Sequence, residues 1–385
     1  MLSTALTAGG GTEQFVLNVV KNAPLDKFSL SIVQTDLQDM ARLDPDYVGN
    51  ILGPTKVYTI RSFRRQLGSL GNASNYISLV MKQFVTYLLN IVYKRLNGST
   101  LSIVRSSDLI YLIRNDDLPY LTVDKAKTVV LGSTHCSTLT LSPKRRGLRS
   151  FRRIFRVLKY RKIDGFHFTS GKWRKEAVIH KKYDFLLPLG TDTRLFHPSE
   201  VNRPPGRVRF LFLSRLEAGK GVRRLLEAWR LMNTKDAELH IAGTGTLTNL
   251  VKAAADGKKI FYDGIPSDQE KALLYRESDV FVFPSQEEIY GLVVLEALAS
   301  GLYAVVSEDL RGNFDEFERM GMLEYTQNDP VAISDAMTRI ASKPEALQSR
   351  QERVYEYIKL NHDSRNLSAE LFATFERILN ETDRR

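Results

Sequence analysis

Apolar positions in the second half of the chain fall into short continuous runs, with longer mixed segments between them. Residues 209–213, 238–242, 259–262, 280–283 and 303–307 are runs rich in β-branched and aromatic side chains. Residues 222–232, 247–255, 268–277 and 292–299 carry their apolar positions at helical spacing. Continuous apolar strands alternating with helices predict a parallel sheet covered on both faces, that is, a doubly wound, Rossmann-like α/β domain. The first half predicts strands at 29–34, 109–113, 128–131 and 165–169, with only Leu2 to Leu6 ahead of a glycine run at Gly9, Gly10 and Gly11. Residues 202–206 (NRPPG) read as a turn-rich linker, and the tail from Ser334 onward reads as helices. No short repeat and no low-complexity segment appears.

One helix breaks its own pattern. In SQEEIYGLVVLEALASG, every residue from Leu292 to Ala299 is apolar except Glu296. Its helical neighbours Leu292, Val293, Leu295 and Leu298 would bury it, and a buried carboxylate without donors is costly. Two partners are open at this point: the diol of a ribose, or a neighbouring Lys or Arg. The preceding turn, with Glu288 and Gly291, follows the carboxyl end of a predicted strand, where open α/β sheets bind ligands. The helix start offers free N–H groups and a positive dipole end to a diphosphate. Arg215 and Lys220 follow the strand at 209–213 and sit on the same rim, either as ligands of an anion or as solvated charges.

Length and charge narrow the field. At 385 residues, two domains are expected. The net charge of +11 is uneven: residues 1–190 hold 29 basic and 13 acidic residues, and residues 191–385 hold 26 and 31. Residues 47–107 contain no acid, and ten of the nineteen residues in 144–162 are Lys or Arg. Leu148, Phe151, Ile154, Phe155 and Leu158 add an apolar stripe at helical spacing there. A basic amphipathic helix suits an anionic membrane surface, and the same stripe suits packing on the domain core. The run from Ile77 to Leu96 carries Lys82, Lys94 and Arg95, which argues against a membrane span. A single cysteine, Cys136, and a start without a signal-peptide pattern predict a cytoplasmic protein, peripheral on the inner membrane face if the basic helix docks there.

Several motifs fail. The spacing of a P-loop is missing around Lys220. The glycine runs at Gly9 and at Gly243 break the dinucleotide fingerprint, with Gln14 and Thr248 in the last glycine position. Asp116 with Asp117, and Asp44 with Asp46, are the pairs that would suit a divalent ion; a capped loop is the simpler reading of the first pair, and no metal is expected. The basic runs match no nucleic-acid module, so no nucleic-acid partner is expected.

Taken together, GGGTEQ at Gly9, GTDTRLFHP at Gly190, SRLEAGKGVRRLLEAW at Ser214, HIAGTGTL at His240 and PSQEEIYGLVVLEALASG at Pro284 resemble the retaining GT-B glycosyltransferases of the family 4 type. The resemblance implies two Rossmann-like domains facing a central cleft. Residues 1–190 would form the acceptor side and 191–365 the donor domain. Residues 366–385 would be a C-terminal helix packing back on the first domain. It implies transfer of a hexose from a nucleotide sugar to a glycan or lipid-linked acceptor, without metal or cofactor. Arg215 and Lys220 match the cations that hold the diphosphate. Glu288 matches the group on the donor sugar, and Glu296 the group on the ribose. Gly291, Leu292 and Val293 match the segment facing the phosphates, Gly10 and Gly11 the N-terminal donor loop, and His135 the active-site histidine. Tyr290 stands where the family has Phe, Tyr303 where it has Pro, and the loop from Asp309 to Asn313 is poor in glycine. A nucleotide-sugar epimerase or hydrolase on the same fold is the alternative.

Overall fold

The computed structural model describes residues 2–4, 11–35, 55–60, 98–113, 123–124, 127–134, 160–199, 207–232, 236–286, 288–343 and 351–383. They fall into two compact units: Met1–Leu187 with Ser368–Arg385, and Pro188–Leu367.

Unit 1 is built on β1 (Leu2–Thr4), α1 (Gly11–Lys21), β2 (Ser31–Thr35), β3 (Lys56–Ile60), α2 (Gly98–Ser106), β4 (Leu109–Leu112), β5 (Val129–Ser133), β6 (Gly165–Phe168), α3 (Gly171–Glu176) and β7 (Phe185–Leu186). The strands form one parallel sheet in the order β3-β2-β1-β4-β5-β6-β7. Its core joins Ile110, Leu112, Val130, Phe166 and Phe168 to Val104 and Tyr160.

Unit 2 runs β8 (Val208–Leu213), α4 (Val222–Leu231), β9 (Ala237–Ala242), α5 (Thr248–Ala254), β10 (Ile260–Tyr262), α6 (Asp268–Arg276), β11 (Val280–Phe283), α7 (Leu292–Ala299), β12 (Tyr303–Ser307), α8 (Asp315–Arg319), β13 (Leu323–Thr326), α9 (Pro330–Ala341) and α10 (Gln351–Asn361). Helix α11 (Ser364–Asp383) starts in unit 2 and continues in unit 1 from Ser368. The strands are again all parallel, in the order β10-β9-β8-β11-β12-β13. Strand β11 (VFVF) is buried along its whole length, as a strand with both faces covered must be. In α4 the buried positions Val222, Leu225, Leu226 and Ala228 make one stripe, and the arginines lie off it.

Aspartates just ahead of strands fix the register of the neighbouring strand. Asp164 accepts from the Val130 amide at 2.8 Å, Asp184 from Phe166 at 2.8 Å, and Asp279 from Arg209 at 2.8 Å. The expected pair of parallel Rossmann-like sheets with C-terminal helices is what the chain forms. Strands β3, β7 and β13 and helices α1, α2, α3 and α8 go beyond the elements read from the sequence, and α9 begins at Pro330 rather than at Ser334. Asp329 caps α9, accepting from the amides of Val331 and Ala332. The linker 202–206, the run 77–96 and residues 144–159 of the basic segment lie outside the described residues; Tyr160–Lys162 form a short 3₁₀ turn.

Candidate active site

The strand order of unit 2 reverses direction between β8 and β11. The connection leaving β8 goes toward β9 on one side, and the one leaving β11 goes toward β12 on the other. The two loops diverge and leave a crevice at their carboxyl ends, the usual ligand position in such sheets. Of the residues singled out in the sequence, Arg215, Lys220, Glu288 and Gly291 lie on these two loops, and Leu292, Val293 and Glu296 on the helix that follows the second.

Backbone contacts lock the loops to each other. The Gln286 amide donates to Gly219 O at 2.9 Å, and the Arg224 guanidinium to Pro284 O at 2.9 Å. Gly221 has φ of +86°, and a Cβ there would stand 2.1 Å from Pro284 O, so no larger residue fits without moving backbone. That approach carries Lys220 inward. It is 7% exposed, unlike a solvated surface charge, and forms an ion pair with Glu288, whose side chain is 25% exposed. Arg215, on the same loop, is exposed. Glu217 steadies this loop against the glycine turn after β9, accepting from the Thr246 amide at 3.1 Å and from its hydroxyl. These bonds hold the Glu217 carboxyl below the usual range, with the hydroxyl of Thr246 acting most strongly.

The turn carrying Glu288 is held from the other side by Asn313. Its amide nitrogen donates to the carbonyls of Ile289 at 2.7 Å and Tyr290 at 3.3 Å. The glycine-poor loop after β12 thus supplies a brace. The Tyr290 ring packs edge-on against Phe314, and its hydroxyl, which a Phe lacks, donates to Leu189 O at 3.4 Å. At position 303 the amide donates to Asp279 O at 3.0 Å, a bond no Pro can make. Gly291 caps α7 with φ of +95°, in the left-handed region open to glycine. Leu292 is buried, and Val293 is partly exposed in the first turn.

Glu296 lies one turn further on and is 3% exposed. Lys271 Nζ stands 3.3 Å from its Oε1, and the Tyr275 hydroxyl 3.1 Å from its Oε2. Of the two partners open in the sequence, the neighbouring cation is present, with a phenol beside it. Lys271 also pairs with Asp268 at 3.2 Å. Burial raises the Glu296 carboxyl above its ordinary range, against the pull of Lys271. Burial alone would lower Lys271, but the charges of Glu296 and Asp268 outweigh it and hold the ammonium on.

Lys271, Tyr275 and Asn313 were not singled out beforehand. A signal existed for the first. Lys271 lies four residues before Tyr275, a fully buried residue of α6, so it stands on the stripe that ought to be apolar. In unit 1, Gly11 opens α1 after β1, beside the corresponding reversal between β1 and β4. Gly10, His135, Asp44, Asp46, Asp116 and Asp117 lie outside the described residues. Among the described residues no group of three or more His, Cys, Asp or Glu is arranged to hold a metal ion.

Residues 194–359 match the family model "Glycosyl transferases group 1". Over 177 residues the chain is 32% identical to the GDP-mannose-dependent alpha-(1-6)-phosphatidylinositol dimannoside mannosyltransferase of Mycobacterium tuberculosis, covering 43% of this chain and 46% of that protein. Over 200 residues it is 28% identical to the alpha-monoglucosyldiacylglycerol synthase of Streptococcus pneumoniae, covering 47% and 45%. The chain thus spans about half the length of the curated relatives it matches. Whole-chain likeness is seen in solved structures at low identity. Anabaena HepE in complex with UDP and glucose has a TM-score of 0.69 at 15% identity, covering 98% of each chain. Sucrose-phosphate synthase from Thermosynechococcus elongatus has 0.69 at 15%, covering 99% of this chain and 98% of that one. These likenesses give the fold, GT-B, over nearly the full length. The chain thus has the GT-B fold, and its second unit carries the match to the group 1 glycosyltransferase model.

Proposed function

We propose that the protein moves a hexose from a nucleotide-sugar donor to an acceptor hydroxyl, with retention of anomeric configuration. The observation that carries this reading is the convergence of Lys220, Glu288 and the start of α7 at the crevice between β8 and β11. A buried cation and the N–H groups of a helix start are preorganised for a diphosphate whose charge grows as the glycosidic bond breaks. Arg215, exposed on the same loop, adds a second cation. Glu288 takes hydroxyls of the donor sugar, and Glu296, one helical turn on, takes the ribose. With this charge supplied by side chains, the step is proposed to run without metal, and the donor is a substrate rather than a cofactor. Gly291, Leu292 and Val293 are proposed to face the phosphates, and Gly10, Gly11 and His135 to act from unit 1.

The names of the relatives support transfer over epimerisation or hydrolysis, and two of them name glycolipids, a phosphatidylinositol dimannoside and a monoglucosyldiacylglycerol. A lipid-linked acceptor is therefore proposed here, reached from an anionic membrane surface through the basic segment 144–162, on the cytoplasmic face. No helix among the described residues is long and apolar enough to cross a membrane.

The test is a thermal-shift panel of UDP, GDP, ADP and their sugar conjugates, with and without EDTA, on wild type and Glu288→Gln. Binding to the native state raises its apparent stability by mass action. One nucleotide series should give an EDTA-insensitive shift, with the sugar-dependent part lost in the variant. Sugar release without acceptor at the full rate would instead identify a hydrolase. Product anomeric configuration by NMR checks retention, and co-sedimentation with anionic liposomes at low salt checks the membrane surface.

A further inference from the structure

Two charged side chains of opposite sign occupy positions in unit 2 where helical periodicity calls for carbon. Glu296 on α7 and Lys271 on α6 have side chains only 4% and 13% exposed. Their contact is part of a chain: Asp268, 29% exposed, to Lys271, to Glu296, to Tyr275. The ring of Phe196 packs 5.0 Å from the ammonium and covers it. The single hydroxyl proton of Tyr275 is shared between Glu296 Oε2 and Val293 O at 3.2 Å, which ties the carboxylate to the backbone of the first turn of α7.

A buried ion pair of this kind is seldom more stabilising than apolar residues of the same volume. Stability alone therefore gives no reason for it. The carboxylate geometry does. An ionised carboxylate has about four acceptor positions. Lys271 uses one on Oε1 and Tyr275 one on Oε2, so each oxygen keeps one for a further donor. Two acceptors about 2.2 Å apart match two vicinal hydroxyls. A protonated carboxyl would turn one acceptor into a donor and break that match.

We propose that Lys271 is a positioning residue, which keeps Glu296 ionised and fixed so that its two remaining acceptor positions receive both hydroxyls of a ribonucleoside diphosphate. The proposal rests on the donor-site reading above. It makes Lys271, a residue that does not touch the nucleotide, the determinant of preference for ribose over deoxyribose.

The experiment is calorimetric titration with UDP, GDP and ADP and their 2′-deoxy counterparts. Wild type, Lys271→Met, Lys271→Gln and Lys271→Arg are compared, each checked for folding by its melting transition. Wild type should bind one ribonucleotide about tenfold or more tightly than its deoxy form, the scale of one hydrogen bond to a charged acceptor. Lys271→Met should bind the two forms within about threefold of each other, on the same scale. Lys271→Gln keeps a donor without charge and should behave like the Met variant. It decides the matter if Met does not fold. Lys271→Arg should restore most of the preference, which a merely structural role would not require. Binding by wild type without ribose preference overturns the inference and leaves the donor site standing, as does a full preference in the folded Met or Gln variant. No binding of any nucleotide by wild type removes the donor-site reading and the inference together.

Discussion

Gly221 shows how much a single position sets at this site. Its φ of +86° and the 2.1 Å that would separate a Cβ from Pro284 O mean that Ala there must move backbone. The left-handed conformation alone costs an Ala about 1–2 kcal/mol, and the clash adds to it. Gly221→Ala should lower the melting temperature of unit 2 by about 4–8 °C, and nucleotide affinity should fall with it because Lys220 is the adjacent residue. Scanning calorimetry with and without the nucleotide checks both. The sequence showed this glycine as part of a motif. Its reason, a carbonyl from a loop more than sixty residues away, was not visible there. Glu296 was legible for the opposite cause: one charged residue in an otherwise apolar helix needs a donor wherever it sits. Lys271 carried the same kind of signal more faintly, because α6 is polar enough to absorb a lysine.

At the level of elements, β6 carries a group whose protonation is coupled to folding. His167 is fully buried, stacked on Phe185 at 4.8 Å, with Nε2 donating to Leu187 O at 2.7 Å. Nδ1 is then the lone-pair nitrogen and accepts from the Tyr111 hydroxyl. Burial lowers its pKa from 6.5 to about 4. Between these values the unfolded chain binds a proton that the native state refuses. Stability is therefore complete above pH 6.5 and is lost as the pH falls toward 4, by roughly 3 kcal/mol. Urea melts of wild type and His167→Gln from pH 7 to 4 check this; the difference between the two curves should carry the slope. Strand β6 itself was legible, since a four-residue apolar run tolerates one satisfied imidazole. The edge strands were not. Strand β13 (LEYT) is only half buried, with Glu324 and Tyr325, on opposite faces, both partly exposed, and β7 is two residues long. Helix α3 (GKWRKE) has no fully buried residue, so no apolar stripe announced it.

For the molecule as a whole, the alternation of strands and helices made the two α/β units readable, while the path of the tail was only partly so. From Ser368 onward α11 belongs to unit 1 and contributes Leu371, Phe372, Phe375 and Ile378 to its interior. The Phe375 ring lies 5.3 Å from Tyr111, and Phe372 lies 5.2 Å from Phe28. Removing residues 368–385 should therefore expose an apolar face of unit 1 and leave the sheet of unit 2 intact. Hydrogen exchange of the truncated chain should show β4 and β6 losing protection while β8 and β11 keep theirs; equal loss in both units would refute this division.

The strand order of unit 2 has a consequence for how the protein acquires its activity in time. Lys220 and Glu288 are 68 residues apart, and β8 lies beside β11 with the whole of β9 and β10 laid down between them in the chain. Loop-closure entropy must be met before such a distant contact returns anything, so it forms late on the folding path. A nucleotide that requires both residues then finds no foothold in the transition state. Its binding energy should appear almost wholly as slower unfolding, with the refolding rate unchanged, and stopped-flow measurements in both directions would show whether the substrate guards the finished fold without helping to make it.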